Sequence, residues 1–132
     1  MNKEVKEFWE NEFSDSEIGY DFTGHKVLKG SYGQTNSEFG WNIDHILPSS
    51  MGGTDHYYNL QITHISTNNE RGNRMSFWID GYLYQVKKTT RLCNGDKVAD
   101  YPYDEKKYCV IVLEEGQGIV EEYYQNQWYD DD

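Results

Sequence analysis

The chain has 132 residues, the length of one domain with a modest buried core. Aromatics make up 16% of it, with 12 Tyr and 4 Trp, which excludes a disordered chain because those rings need somewhere to pack. The formal charge of −11 is unlike the basic balance of most polyanion-binding proteins, and no apolar run approaches the ~20 residues of a membrane helix.

The opening residues Asn2, Lys3 and Glu4 are polar and show no signal-peptide pattern, so the expected setting is a soluble, cytoplasmic one with no membrane partner. Cys93 and Cys109 belong to no C-x-x-C pair, whereas a structural zinc site needs four ligands at short spacing. No structural zinc is expected, and two reduced, packed thiols are.

In chain order, residues 3–13 set Val5, Phe8, Trp9 and Phe13 on one side at helical spacing, an amphipathic helix. Residues 19–40 are punctuated by glycines and predict irregular structure with one weak strand at Lys26–Leu28. Trp41–Ile46 reads as a strand, Pro48–His56 as a polar loop around Gly52-Gly53, and Tyr58–Ile62 as a second strand. A short helix follows, with Ser66 or Thr67 as its cap, Glu70 in its first turn and Gly72 ending it. Three hairpin signals come next: Phe77–Ile79 with Tyr82–Val86 across Asp80-Gly81; Arg91–Cys93 with Lys97–Ala99 across Asn94-Gly95; and Tyr108–Leu113 with Ile119–Tyr124. The expectation is an α+β fold in a single domain, 1–132. It has an N-terminal helical segment (1–20), a C-terminal antiparallel β-meander (77–127) and an acidic tail (128–132).

The chemistry concentrates between Trp41 and Asn73. Asp44 and His45 are adjacent at a predicted strand end, where both side chains can serve one site despite strand alternation. Asn59 lies where the chain returns, and Asn68 in the first turn of the helix. Strand, loop, strand and helix would bring these four together. Asp44 carboxylate and Asn68 amide oxygens suit a hard divalent cation, Mg²⁺ first and Mn²⁺ second, which would keep positions open for phosphate oxygens. An imidazole, with an ordinary pKa of ~6.5, suits His45 as general base. Asn59 would hold the loop, or fix the His45 tautomer through a backbone contact.

The run Gly40-Trp41-Asn42-Ile43-Asp44-His45-Ile46-Leu47-Pro48-Ser49-Ser50, followed by Gly52-Gly53-Thr54-Asp55, Asn59-Leu60-Gln61 and Asn68-Asn69-Glu70-Arg71-Gly72-Asn73, resembles the HNH endonuclease family over about a third of the chain. The resemblance implies a ββα-metal finger, with a nuclease core over 21–76. It implies Asp44 and Asn68 as metal ligands, His45 and Asn59 as catalytic residues, and Arg71 as a DNA-backbone contact. Many members carry zinc-binding cysteines at the positions of His64 and Thr67, and a branch with histidine at the first of these does without them. His64 would share a helix face with Asn68 and reach a phosphate, or else donate a structural hydrogen bond at the helix entry. His25 and His56 read as ordinary surface histidines.

Charge by segment is −4 over residues 1–40, −2 over 41–80 and −5 over 81–132, so the core is the least acidic part. Lys26, Lys29, Arg71 and Arg74 are its candidate track for DNA, and the basic residues around Lys87, Lys88 and Arg91 read as a solvated strand face. Few neutralised phosphates mean weak DNA binding by the protein alone, with a protein partner supplying further grip and the oligomeric state left open. The competing expectation is an acidic regulatory or protein-binding module that keeps the fold without the catalysis.

Overall fold

A computed structural model describes residues 1–115. Helix α1, Lys3–Phe13, starts where the Asn2 side chain accepts the Val5 N–H at 2.9 Å and stops at Ser14, whose φ is 59°. Its apolar stripe is the expected one. Val5 and Trp9 are buried with Val27, Trp41 and Ile62, and Phe8 and Phe13 pack alongside. The Trp9 and Trp41 rings meet at 5.0 Å, and each indole N–H finds a carbonyl, of Ser16 and Leu28 respectively.

Strands β1 (Ile18–Tyr20) and β2 (Lys26–Leu28) form an antiparallel pair. The second matches the expected weak strand; the first lies in a stretch too short and glycine-rich to show a period. Strand β3 (Trp41–His45) pairs antiparallel with β4 (Leu60–His64), and α2 (Ile65–Arg71) follows directly. Strand β4 begins later than expected because residues 57–59 turn as 3-10 helix, with Asn59 N–H donating to the His56 carbonyl at 2.7 Å. The cap of α2 is His64 rather than Ser66 or Thr67: its Nδ1 accepts the Ser66 N–H at 3.0 Å. Glu70 therefore sits in the last turn, not the first, and Gly72 ends the helix at φ 60° as expected.

The second half is a four-stranded antiparallel sheet of β5 (Ser76–Ile79), β6 (Tyr82–Lys88), β7 (Lys97–Val98) and β8 (Tyr108–Glu114). Asp80 and Gly81, at φ 51° and 83°, make the two-residue primed turn between β5 and β6. The strand order is β5-β6-β8-β7, so the sheet is not the expected meander. The Asn94-Gly95 hairpin does not form. There the Asp96 carboxylate accepts both the Cys93 N–H (2.7 Å) and Lys87 Nζ (2.6 Å), folding the turn onto β6, while Arg91 lies in a 3-10 turn and β7 pairs with β8. The expected strand at Ile119–Tyr124 and the acidic tail fall outside the described residues. Cys109 is buried and Cys93 exposed, both as free thiols, and burial pushes the Cys109 thiol up to about 11.

One apolar cluster, with Phe22, Ile46, Phe77, Tyr84 and Val110 in it, lies against this sheet. The fold is thus α+β, two helices and three antiparallel sheets among the described residues, and no helix there is long and apolar enough to cross a membrane.

Candidate active site

Adjacent residues on a strand face opposite ways, and at the end of β3 this sends Asp44 inward and His45 outward. Asp44 turns under α2, where Arg71 Nη1 donates to its Oδ2 at 3.1 Å; the two side chains are 14% and 1% exposed. Burial pushes the Asp44 carboxyl above the ordinary carboxylate range, more than the Arg71 guanidinium beside it pulls it down. Three further Arg71 donors go to the carbonyls of His45 (2.8 Å), Ile46 and Arg74 (3.3 Å). Arg71 therefore locks the end of β3 to α2, and its guanidinium is not presented at the surface for a DNA backbone as expected. A long cation four residues from the buried Thr67 lies on the helix's inner face, a periodicity the sequence does contain.

His45 keeps its ring at the surface, and its Nε2 lies 2.6 Å from Asp55 Oδ1. A carboxylate only accepts, so Nε2 carries a proton, and in the neutral ring Nδ1 is the nitrogen with the lone pair. Asp55, which has no role assigned from the sequence, closes Gly52-Gly53-Thr54-Asp55 on the loop between the two strands.

That loop is shaped by Asn59, which is wholly buried. Its Oδ1 accepts Leu47 N–H at 2.8 Å, and its Nδ2 donates to the carbonyls of Leu47 (3.1 Å) and Thr54 (2.9 Å). Of the two roles read from the sequence, the structure displays loop-holding. Where the sequence reading made Asn59 catalytic, its buried amide is spent on the backbone of Leu47 and Thr54. Gly53 is required for the same closure: a Cβ there would stand 1.8 Å from Leu47 O and 2.8 Å from Asn59 Nδ2.

Asn68 is half-buried on α2, three residues before Arg71 and so on the side of the helix that meets β3. Its amide makes no hydrogen bond to the described residues, unlike that of Asn59. His64 is spent: besides capping α2, its Nε2–H donates to the Glu38 carbonyl at 2.8 Å, the structural role rather than the phosphate contact. Arg74 is exposed, with its guanidinium on the Glu70 carbonyl at the end of α2.

Behind α2 lies a second centre. Buried Asp21 accepts Thr23 N–H (2.9 Å), Thr23 Oγ1–H (2.6 Å), His25 N–H (3.1 Å), His64 N–H (2.9 Å) and Thr67 Oγ1–H (2.6 Å). This carboxylate ties the β1–β2 turn to the junction of β4 and α2, next to Asn68. His25 belongs to it, through Thr23 Oγ1 at 2.5 Å and Asp80 at 3.2 Å, and is not an isolated surface histidine.

A divalent cation is tested against the donors present. Among the described residues no group of three or more His, Cys, Asp or Glu is gathered to hold a metal. Mg²⁺ needs fewer protein ligands than that, since it keeps several waters and takes substrate phosphate oxygens. Asp44, with one oxygen committed to Arg71, and the amide oxygen of Asn68 fit that pattern.

HNH endonucleases as a group use divalent metal ions, and nuclease activity is what such a domain suggests. Comparison with curated proteins and with solved structures finds no match. The model of one family, described as HNH endonuclease, matches residues 35–77, the third of the chain that holds all four of Asp44, His45, Asn59 and Asn68. Over that stretch the chain is similar to the HNH endonuclease family.

Proposed function

We propose that the protein is a metal-dependent endonuclease that hydrolyses phosphodiester bonds in DNA, with β3, β4 and α2 acting as a ββα-metal finger. The observation that carries the reading is the divergence of Asp44 and His45 at one strand end. The inward carboxylate is held by Arg71, and the outward imidazole has one nitrogen engaged by Asp55 and the other available. His45 Nδ1 takes the proton of the attacking water, and Asp55 holds the ring in that tautomer. Asp44 and Asn68 hold the cation, and Arg71 aims the Asp44 carboxylate without reaching the substrate. Asn59 and Gly53 fix the loop that carries Asp55. When bound, a divalent cation supplies charge stabilisation for the phosphate oxygens as negative charge builds on them. Arg74 and Lys26 are exposed cations for the flanking DNA backbone, and a protein partner would add to a grip this acidic chain supplies weakly.

Supercoiled plasmid incubated with Mg²⁺ or Mn²⁺ tests the reading. Wild type relaxes or linearises it, and both His45→Ala and EDTA leave it supercoiled. Intact plasmid at high protein concentration with either metal contradicts it in favour of the acidic binding module, a reading the −11 charge keeps in play.

A further inference from the structure

The loop that carries Asp55 continues into a ring stack. His56 accepts the Tyr58 N–H on its Nδ1 at 3.2 Å, which fixes the imidazole, and the His56 and Tyr58 rings lie face to face, 3.8 Å between centroids and 25° apart. Lys107 reaches the same place from the C-terminal sheet. Its N–H donates to the Tyr58 carbonyl at 2.9 Å, and its Nζ lies 5.3 Å from the Tyr58 ring and 5.9 Å from that of Tyr108. Tyr108 begins β8 opposite Lys88 of β6. His56 and Lys107 are exposed; Tyr58, Tyr108 and Lys88 are half-buried.

Lys29, Lys87, Lys97 and Lys106 are each neutralised by a carboxylate, of Glu10, Asp96, Glu115 and Glu12. Lys88 and Lys107 join no ion pair among the described residues, and they flank a preset aromatic stack beginning one residue after Asp55. We propose that this patch binds unpaired nucleotides of the strand being cut, a base stacking on the exposed face of His56 and phosphates lying on Lys107 and Lys88. The proposal rests on the nuclease reading for the identity of the strand.

The physical case is one of charge against stacking. A chain at −11 gains little from long-range attraction to a polyanion, and Asp55 beside the stack and Glu105 on the Tyr57 hydroxyl keep the surrounding surface acidic. Stacking has no such handicap: every base offers a π-face, and rings already held in place lose little freedom on binding. In a duplex those faces are covered, leaving only the phosphate contacts. Single-stranded DNA is therefore favoured over duplex.

Fluorescence anisotropy tests this, with a short fluorescein-labelled single-stranded DNA oligonucleotide and the same sequence as duplex, both in EDTA so that nothing is cut. The single strand is expected to bind more tightly. His56→Ala should weaken its binding at least about five-fold, the low end of one lost stack, without changing the salt dependence. Lys107→Ala should lower the slope of log affinity against log salt by about 0.7, one phosphate contact on a single strand. Thermal melts of both variants at the wild-type temperature confirm that the fold is kept. Duplex bound as tightly as single strand, variants that bind as wild type does, or a wild type that binds neither would overturn the proposal. If instead wild type binds the single strand through His56 and Lys107 yet cuts no DNA with Mg²⁺ or Mn²⁺, the nuclease reading fails and the binding patch stands.

Discussion

Among the described residues two buried ion pairs hold the fold, and their surroundings differ. Glu12 and Lys106, 3% and 2% exposed, are closed on every side: the carboxylate also takes the Tyr101 hydroxyl, and the ammonium also donates to the Tyr57 carbonyl at 3.1 Å. Tyr101 in turn accepts the Ile62 N–H at 2.8 Å, so the knot ties α1 to β4 and to the chain before β8. Asp44 and Arg71 close only half their shell. Arg71 is enclosed, while Asp44 keeps an edge toward solvent beside His45. Burial raises both acids and lowers both bases, so the two pairs share one electrostatic problem. Of the two, the Asp44 pair is the one that keeps a carboxylate edge toward solvent, and it lies within the stretch matched by the HNH endonuclease model.

The largest effect that sharpens the contrast is catalytic. His45→Ala should lower single-turnover plasmid cleavage by about 10²–10⁴-fold while leaving the melting temperature within a few degrees of wild type. Near-wild-type cleavage would remove His45 as the base. Next comes the closed pair: Lys106→Met strands a buried carboxylate and should cost about 3–5 kcal/mol in chemical denaturation, whereas the Glu12→Gln, Lys106→Met double variant should be far less damaging than the sum of Glu12→Gln and Lys106→Met. Additive losses would show that the pair is not a coupled unit.

Asp55→Asn should be milder. An amide can still hold Nε2–H through its oxygen but no longer stabilises a positive ring, so about a ten-fold fall in kcat with an unchanged melt is expected; no change in kcat would leave Asp55 as loop scaffolding. The smallest effect is a pH slope. Burial holds the Glu12 carboxyl above its ordinary value of 4.5, so the folded state binds that proton more tightly than the unfolded one. Its stabilising contribution is full below 4.5 and is lost as pH rises through the folded value. Wild type should therefore gain stability relative to Glu12→Gln as pH falls from neutral toward 4.5, measured by urea denaturation; the opposite slope would contradict the assignment.

Much of this contrast was readable from local pattern. Helix α1, strand β3, the Asp80-Gly81 turn and the short α2 each follow from period, capping or turn residues within a few positions. So does the placement of Asp44 and His45 at the end of β3, Asn59 just before β4 and Asn68 on α2, a local property of one hairpin and one helix. What escaped was decided at long range. Strand β8 joins β6 across twenty residues because Asp96 folds its turn onto Lys87, and no nearest-neighbour signal reports that. Arg71 and Arg74 look alike in sequence; only packing under β3 makes one a buried lock and leaves the other at the surface. Asp21, forty-three residues from His64, gave no pattern at all, although its carboxylate orients the start of α2. His56 reads as an ordinary surface histidine, and nothing near it in sequence signals that the C-terminal sheet brings Lys107 to the Tyr58 ring beside it.

Calorimetric titration of Mn²⁺ into wild type, Asp44→Asn and Glu12→Gln at neutral pH tests the role of the open pair most directly. Wild type and Glu12→Gln should bind with the same affinity and Asp44→Asn at least about ten-fold more weakly, all three still folded at the titration temperature. Equal binding by Asp44→Asn, or a loss confined to Glu12→Gln, would contradict it.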